Sequence, residues 1–103
     1  MLENKFQLKI IKEIEEAYPN AVVFKTDPNY IQGFPDLVIL NKYNWAALEV
    51  KVRGAKRPNQ NYWVDRLNKM SYASFIFPEN ERRVLDELQS TLRFIRATRL
   101  SVR

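Results

Sequence analysis

Gly33-Phe34-Pro35-Asp36-Leu37-Val38-Ile39-Leu40-Asn41-Lys42-Tyr43-Asn44-Trp45-Ala46-Ala47-Leu48-Glu49-Val50-Lys51-Val52 is the stretch that decides the fold. Two apolar runs, Asp36 to Leu40 and Trp45 to Val52, flank the polar Asn41 to Asn44, and so short a connection predicts a β-hairpin. If Leu40 faces Trp45 across that turn, counting back places Asp36 opposite Glu49 on one side of the sheet. Lys51 lies two residues beyond Glu49 and projects from the same side. Two carboxylates and an ammonium inside buried strands incur a desolvation cost, and a bound divalent cation is one reason to bear it.

Outward from the hairpin, Glu3 to Tyr18 repeats Phe6, Ile10, Ile14 and Ala17 at helical spacing until Pro19-Asn20 interrupts it. Ala21 to Thr26 reads as a strand that ends in the turn residues Asp27-Pro28-Asn29. After the hairpin, Pro58 opens a helix to about Met70, Ala73 to Phe77 reads as a short strand, and Pro78-Glu79-Asn80 opens a last helix. Its apolar stripe is Val84, Leu85, Leu88, Leu92 and Ile95. The order α-β-β-β-α-β-α, with continuously apolar central strands, predicts an α/β fold in which helices cover both faces of a mixed sheet.

The chain has 103 residues, 46% of them hydrophobic, enough for a single domain over 1–103 with a basic C-terminal extension from about residue 93. With no cysteine and no histidine there is no thiolate metal site, zinc finger, Ser/His/Asp triad or histidine base. Carboxylates and lysine remain as the catalytic groups. Two glycines are too few for a Gly-rich phosphate loop, so no nucleotide cofactor is expected. No apolar run suits a membrane span and no leader is visible, which makes the cytoplasm of a bacterial or phage-infected cell the expected location.

Seventeen Lys and Arg against twelve Asp and Glu give a net charge of +5, a balance that suits a polyanionic partner. The positive charge is concentrated around and after the hairpin. Lys51, Arg53, Lys56, Arg57, Arg66 and Lys69 face one nearby acid, Asp65, and the end of the chain carries Arg93, Arg96, Arg99 and Arg103. Lys25, Arg53, Lys56, Arg57, Arg93 and Arg96 are the candidate phosphate contacts, against the simpler alternative of a solvated face. Tyr62 and Trp63 could stack on an unpaired base, although Leu67, four residues after Trp63, points to at least one of them in the core. Asp36, Glu49 and Lys51 therefore predict a metal-dependent nuclease site. The plainer alternative is a turn-capping Asp36 beside a surface Glu49/Lys51 ion pair.

These residues resemble the PD-(D/E)xK nuclease superfamily, and within it the compact VRR-NUC branch found in phages and related to Holliday junction resolvases. The resemblance runs from the Glu3-to-Gln7 spacing through Gly33-Phe34-Pro35-Asp36 to Glu49-Val50-Lys51. It continues into Gly54, Pro58, Gln60, Trp63 and Leu67. It implies a restriction-endonuclease-like core, with Asp36, Glu49 and the Val50 carbonyl as oxygen ligands of Mg²⁺ or Mn²⁺ and Lys51 orienting the attacking water. It further implies a carboxylate from the first helix, here Glu3, and a glutamine beside the metal or the scissile phosphate, here Gln60. Glu3 is also favoured near a helix N-terminus by the macrodipole alone. The activity implied is a Mg²⁺/Mn²⁺-dependent DNA endonuclease that leaves a 5′-phosphate, acts on branched or duplex DNA and works as a homodimer. The alternative is a catalytically silent nucleic-acid-binding module or nuclease-complex subunit with the same fold.

Overall fold

The computed structural model describes residues 2–102, and the side chains of residues 2–92. Helix α1 (Glu3–Ala17) is followed by strands β1 (Val22–Lys25), β2 (Leu37–Leu40) and β3 (Trp45–Val50). Helix α2 (Pro58–Met70), strand β4 (Tyr72–Ile76), a 3-10 turn (Pro78–Asn80) and helix α3 (Glu81–Val102) complete the order. The expected α-β-β-β-α-β-α sequence of elements is found, with strand ends shifted by one or two residues. Among the described residues no helix is long and apolar enough to cross a membrane.

The four strands lie in the order β1-β2-β3-β4. β1 and β2 are antiparallel, as are β2 and β3, with Leu40 paired to Trp45 as the four-residue turn implies; the Asn41 N–H donates to the Asn44 carbonyl at 2.8 Å to close it. β4 runs parallel to β3 and is reached through α2, the crossover that a parallel neighbour requires. The sheet is therefore mixed.

Strand alternation divides the core in two. Leu37 and Ile39 of β2, Ala46, Leu48 and Val50 of β3 and Ile76 of β4 meet Phe6, Ile10 and Ile14 of α1 and Val84, Leu88 and Leu92 of α3. Burying each such large side chain contributes about 1.5–3 kcal/mol, so this layer carries most of the hydrophobic stabilisation. The expected stripe on α1 is corrected at its end. Ala17 is exposed, and Ile11 and Tyr18 pack against the layer instead, because the helix stops at Ala17 and the Tyr18 N–H closes onto Ile14. On the opposite face Ala47 and Ala73, small enough to let a helix approach, pack under Leu67, Trp63 and Val64 of α2.

α2 lies over β3 and β4. On that same face β1 and β2 leave Val22, Phe24 and Leu40 exposed. The sheet thus has one fully covered face and one half-covered face, and the boundary of the cover passes beside Asp36 and Glu49.

Candidate active site

Asp36 stands one residue before β2 and is fixed from both sides. The Thr26 N–H donates to the Asp36 carbonyl at 2.9 Å, prolonging the β1/β2 ladder, and the Thr26 hydroxyl donates to the buried Pro35 carbonyl at 2.7 Å. Proline suits this position because its missing N–H leaves no donor unsatisfied. The Asp36 side chain crosses to β3, where Oδ2 accepts from the Val50 N–H at 3.0 Å. An extended residue presents its N–H and C=O to the same neighbour, so the Val50 carbonyl also points toward the Asp36 side. Leu37 pairs with Leu48, and one further step of that register sets Asp36 opposite Glu49.

Glu49 is 5% exposed and Lys51 9%, the two buried charged residues of the described chain. Gln60, in the first turn of α2, bridges them: its Nε2 donates to Glu49 Oε2 at 3.1 Å, and its Oε1 accepts from Lys51 Nζ at 3.3 Å. The same Oε1 accepts from the Arg57 N–H at 3.0 Å, so the residue that caps the helix also links the acid to the base. Glu3, in the first turn of α1, accepts at Oε1 from the Val52 N–H at 3.4 Å and approaches from the other layer. All five side chains expected at the site, Asp36, Glu49, Lys51, Glu3 and Gln60, are gathered at one end of the sheet.

Their electrostatics are those of crowded acids. Burial pushes the Glu49 carboxyl up to about 8, aided by the Asp36 and Glu3 charges and opposed by Lys51. Asp36 is raised too, mainly by burial; the Val50 N–H opposes that rise and the Glu3 charge adds to it. Two adjacent carboxylates with one buried ammonium form a donor set short of positive charge, and a hard dication fits it chemically. Among the described residues no group of three or more acidic, histidine or cysteine side chains is placed to hold a metal.

The basic candidates divide by position. Arg53, Lys56 and Arg57 are exposed in the loop between β3 and α2, next to the acidic cluster. Lys56, although exposed, rests against aromatic rings. Its Nζ lies 4.6 Å from the Phe75 ring centroid and 5.9 Å from that of Phe77, and the two rings stack at 6.4 Å. Phe75 pairs with Glu49 in the parallel register, so this ammonium borders the site. Lys25 stands apart from this loop: exposed at the end of β1, it pairs with Leu37, a residue of the α1 layer, and lines an open cavity with Phe24 and Thr26. The side chains of Arg93 and Arg96 lie outside those described.

Of the two aromatic candidates, Trp63 is the one in the core, edge-on to Phe34 at 5.3 Å, whereas Tyr62 is exposed. Arg66 donates to the Tyr62 hydroxyl at 2.9 Å and lies 5.6 Å over the Trp63 ring. Sequence reasoning missed Thr26, which fixes Pro35-Asp36, and the seat of Lys56 on Phe75 and Phe77. Two aromatics spaced for one strand face were the available signal for the latter. Gly33, at φ 85°, packs so tightly on α2 that a Cβ would come within 2.7 Å of Asn59 backbone carbon. The loop bearing Asp36 and the helix bearing Gln60 are in this way held together. Compared with known proteins, the chain matches no family model, no curated protein and no solved structure.

Proposed function

We propose that the chain is a divalent-metal-dependent DNA endonuclease with a restriction-endonuclease-like core, similar to the PD-(D/E)xK superfamily and its compact VRR-NUC, resolvase-like branch. The observation that carries this reading is the convergence of Asp36, Glu49, Lys51, Gln60 and Glu3, from four separate stretches of the sequence, on one end of a sheet beside a basic loop. A structural ion pair would need neither the raised carboxyls nor a glutamine tying acid to lysine.

Asp36, Glu49 and the Val50 carbonyl would hold Mg²⁺ or Mn²⁺, with Glu3 completing the acidic side. When bound, the cation supplies Lewis acidity and offsets charge that accumulates on the phosphate. Lys51 orients the attacking water and balances the negative charge developing opposite the leaving group. Gln60 keeps Lys51 and Glu49 in register. Water adds to phosphorus in line, releasing a proton to solvent, as the bond to the 3′ oxygen breaks and that oxygen takes up a proton from solvent, leaving a 5′-phosphate and a 3′-hydroxyl. Arg53, Lys56 and Arg57 position the backbone and carry no sequence information, which suits a structure-selective substrate such as branched DNA. A domain of this size does not encircle a duplex alone, and a homodimer would place two such sites on one junction.

Incubation of branched, duplex and single-stranded DNA with Mg²⁺, Mn²⁺ or EDTA tests the reading. Cleavage should require a metal and vanish in Asp36→Asn and Glu49→Gln; activity persisting in both variants would defeat the proposed site. One observation favours the second reading, a silent DNA-binding module: among the described residues Asp36, Glu49 and Glu3 are not placed closely enough to form a three-ligand metal group. Calorimetric titration with Mn²⁺ separates the two, since a silent module would bind DNA but not the ion.

A further inference from the structure

Between the end of β1 and the segment leading to Pro35 lies an open cavity of about 280 Å³, walled by Phe24, Tyr30, Ile31 and Phe34. Its walls are aromatic and exposed where a soluble surface would normally be polar: Tyr30 is 84% exposed and Phe24 43%. The cavity is built, because a turn holds Tyr30 in place. The Asn29 N–H donates to Asp27 Oδ1 at 2.9 Å, the Tyr30 N–H to the Asp27 carbonyl at 3.2 Å, and the Phe34 N–H to the Ile31 carbonyl at 3.2 Å. Phe34 rests in turn on Trp63. Thr26, on the rim, is the residue that bonds the Pro35 carbonyl, so cavity and acidic cluster share a wall.

We propose that this cavity receives one unpaired nucleobase of the nucleic acid whose backbone lies across Asp36 and Glu49. The inference rests on the nuclease reading only for the presence of that strand. Flat aromatic walls suit any base face, because every base can stack on a ring. The rim suits a base that arrives with its backbone phosphate attached. Asp27 and Thr26 offer acceptor oxygens there that can meet the donors on a base edge, and Lys25 in the same lining suits the phosphate attached to that base. Basic charge to hold the flanking backbone is present both in the lining, as Lys25, and nearby in the loop of Arg53, Lys56 and Arg57. Together these features would make the chain prefer a strand with an unpaired residue next to the scissile phosphate, as at a junction, flap or frayed end.

The test is fluorescence anisotropy in EDTA, where no turnover intervenes, with a labelled oligo-dC and an abasic oligomer carrying the same number of phosphates. Wild-type protein should bind oligo-dC about tenfold more tightly than the abasic strand. Tyr30→Ala and Phe24→Ala should lower oligo-dC affinity to the abasic level without changing abasic affinity, and Tyr30→Trp should restore the difference. Equal affinity of wild type for the two strands, or a preference that survives both alanine variants, would overturn the proposal. So would a change from dimer to monomer in Phe24→Ala by sedimentation, which would assign the cavity to a second copy of the chain. Base-dependent binding without metal-dependent cleavage would defeat the nuclease reading alone. Cleavage without base dependence would defeat the cavity alone, and no affinity for either strand would defeat both.

Discussion

Gln60 Nε2 donates to Glu49 Oε2 at 3.1 Å while its other amide atom accepts from Lys51 and from the Arg57 N–H. One side chain thereby sets the orientation of the acid, the position of the base and the start of α2. Removing it should affect both folding and function. Gln60→Ala is expected to cost about 1 kcal/mol through the lost helix cap and to lower cleavage by roughly 10–100-fold through the loosened Glu49 and Lys51. Gln60→Glu should retain the cap yet add a negative charge beside Glu49 and move the pH profile of cleavage upward. Chemical denaturation and a pH series measure the two effects separately. Normal cleavage in Gln60→Ala would remove this residue from the site.

The raised carboxyl of Glu49 has a signed effect on stability. In the unfolded chain the group ionises near its ordinary value of 4.5, whereas in the fold it holds its proton up to about 8. Between those limits the folded state binds more protons, so stability is highest at the acidic end of the window and falls as pH rises through it. The melting temperature in EDTA should decline from pH 5 to pH 8 and level off above. Glu49→Gln should flatten the decline, and Mg²⁺ or Mn²⁺ should restore the loss at pH 8. Melting curves at several pH values, with and without the ion, provide the check; an equal slope in Glu49→Gln would contradict the assignment.

Gly33 combines a left-handed backbone with a contact that leaves no room for a side chain, its Cβ position being 2.7 Å from Asn59 and its φ 85°. Gly33→Ala should destabilise the protein by about 2 kcal/mol from backbone strain and overlap together. It should also lower cleavage, since Asp36 and Gln60 move apart. Gly54, likewise at positive φ but with nothing within 4 Å of a Cβ, should lose less on the same substitution. Comparing the two variants by urea denaturation isolates the cost of the contact. A larger loss at Gly54 would refute the packing argument.

Lys56, seated on Phe75 and Phe77, is expected to make one phosphate contact. Lys56→Ala should weaken DNA binding at low salt and reduce the slope of log affinity against log salt by about one. Phe77→Ala should weaken binding less while leaving that slope nearly unchanged, because the charge remains and only its placement is lost. Binding isotherms over a salt series read both quantities.

The element order and the hairpin register were legible because they depend on local signals: apolar periodicity, a four-residue turn, and prolines at 19, 58 and 78. From these alone Asp36, Glu49 and Lys51 could be placed together. Glu3 and Gln60 needed the resemblance as well, since a glutamate and a glutamine in first turns of helices are ordinary there. The position of Lys25 relative to the acidic cluster was not legible for a different reason. Its face depends on how β1 pairs with β2 across the long segment from Thr26 to Asp36, and no turn chemistry in that segment fixes such a pairing. The cavity was hidden likewise, since Phe24, Tyr30 and Phe34 become neighbours only when that segment folds back on β1.

The turn from Asn41 to Asn44 sits at the far end of β2 and β3 from Asp36 and Glu49, anchored to α3 by the Asn44 amide donating to the Thr91 carbonyl at 3.2 Å. At about 3.3 Å per residue, the hairpin separates turn and chemistry by roughly 15 Å. A fluorophore attached at the exposed Lys42 would therefore report on a bound strand without touching Asp36, Glu49 or Lys51. With no native cysteine to compete, Lys42→Cys gives a single labelling position on an otherwise thiol-free chain. The scaffold end of the hairpin thus offers a handle for watching the working end.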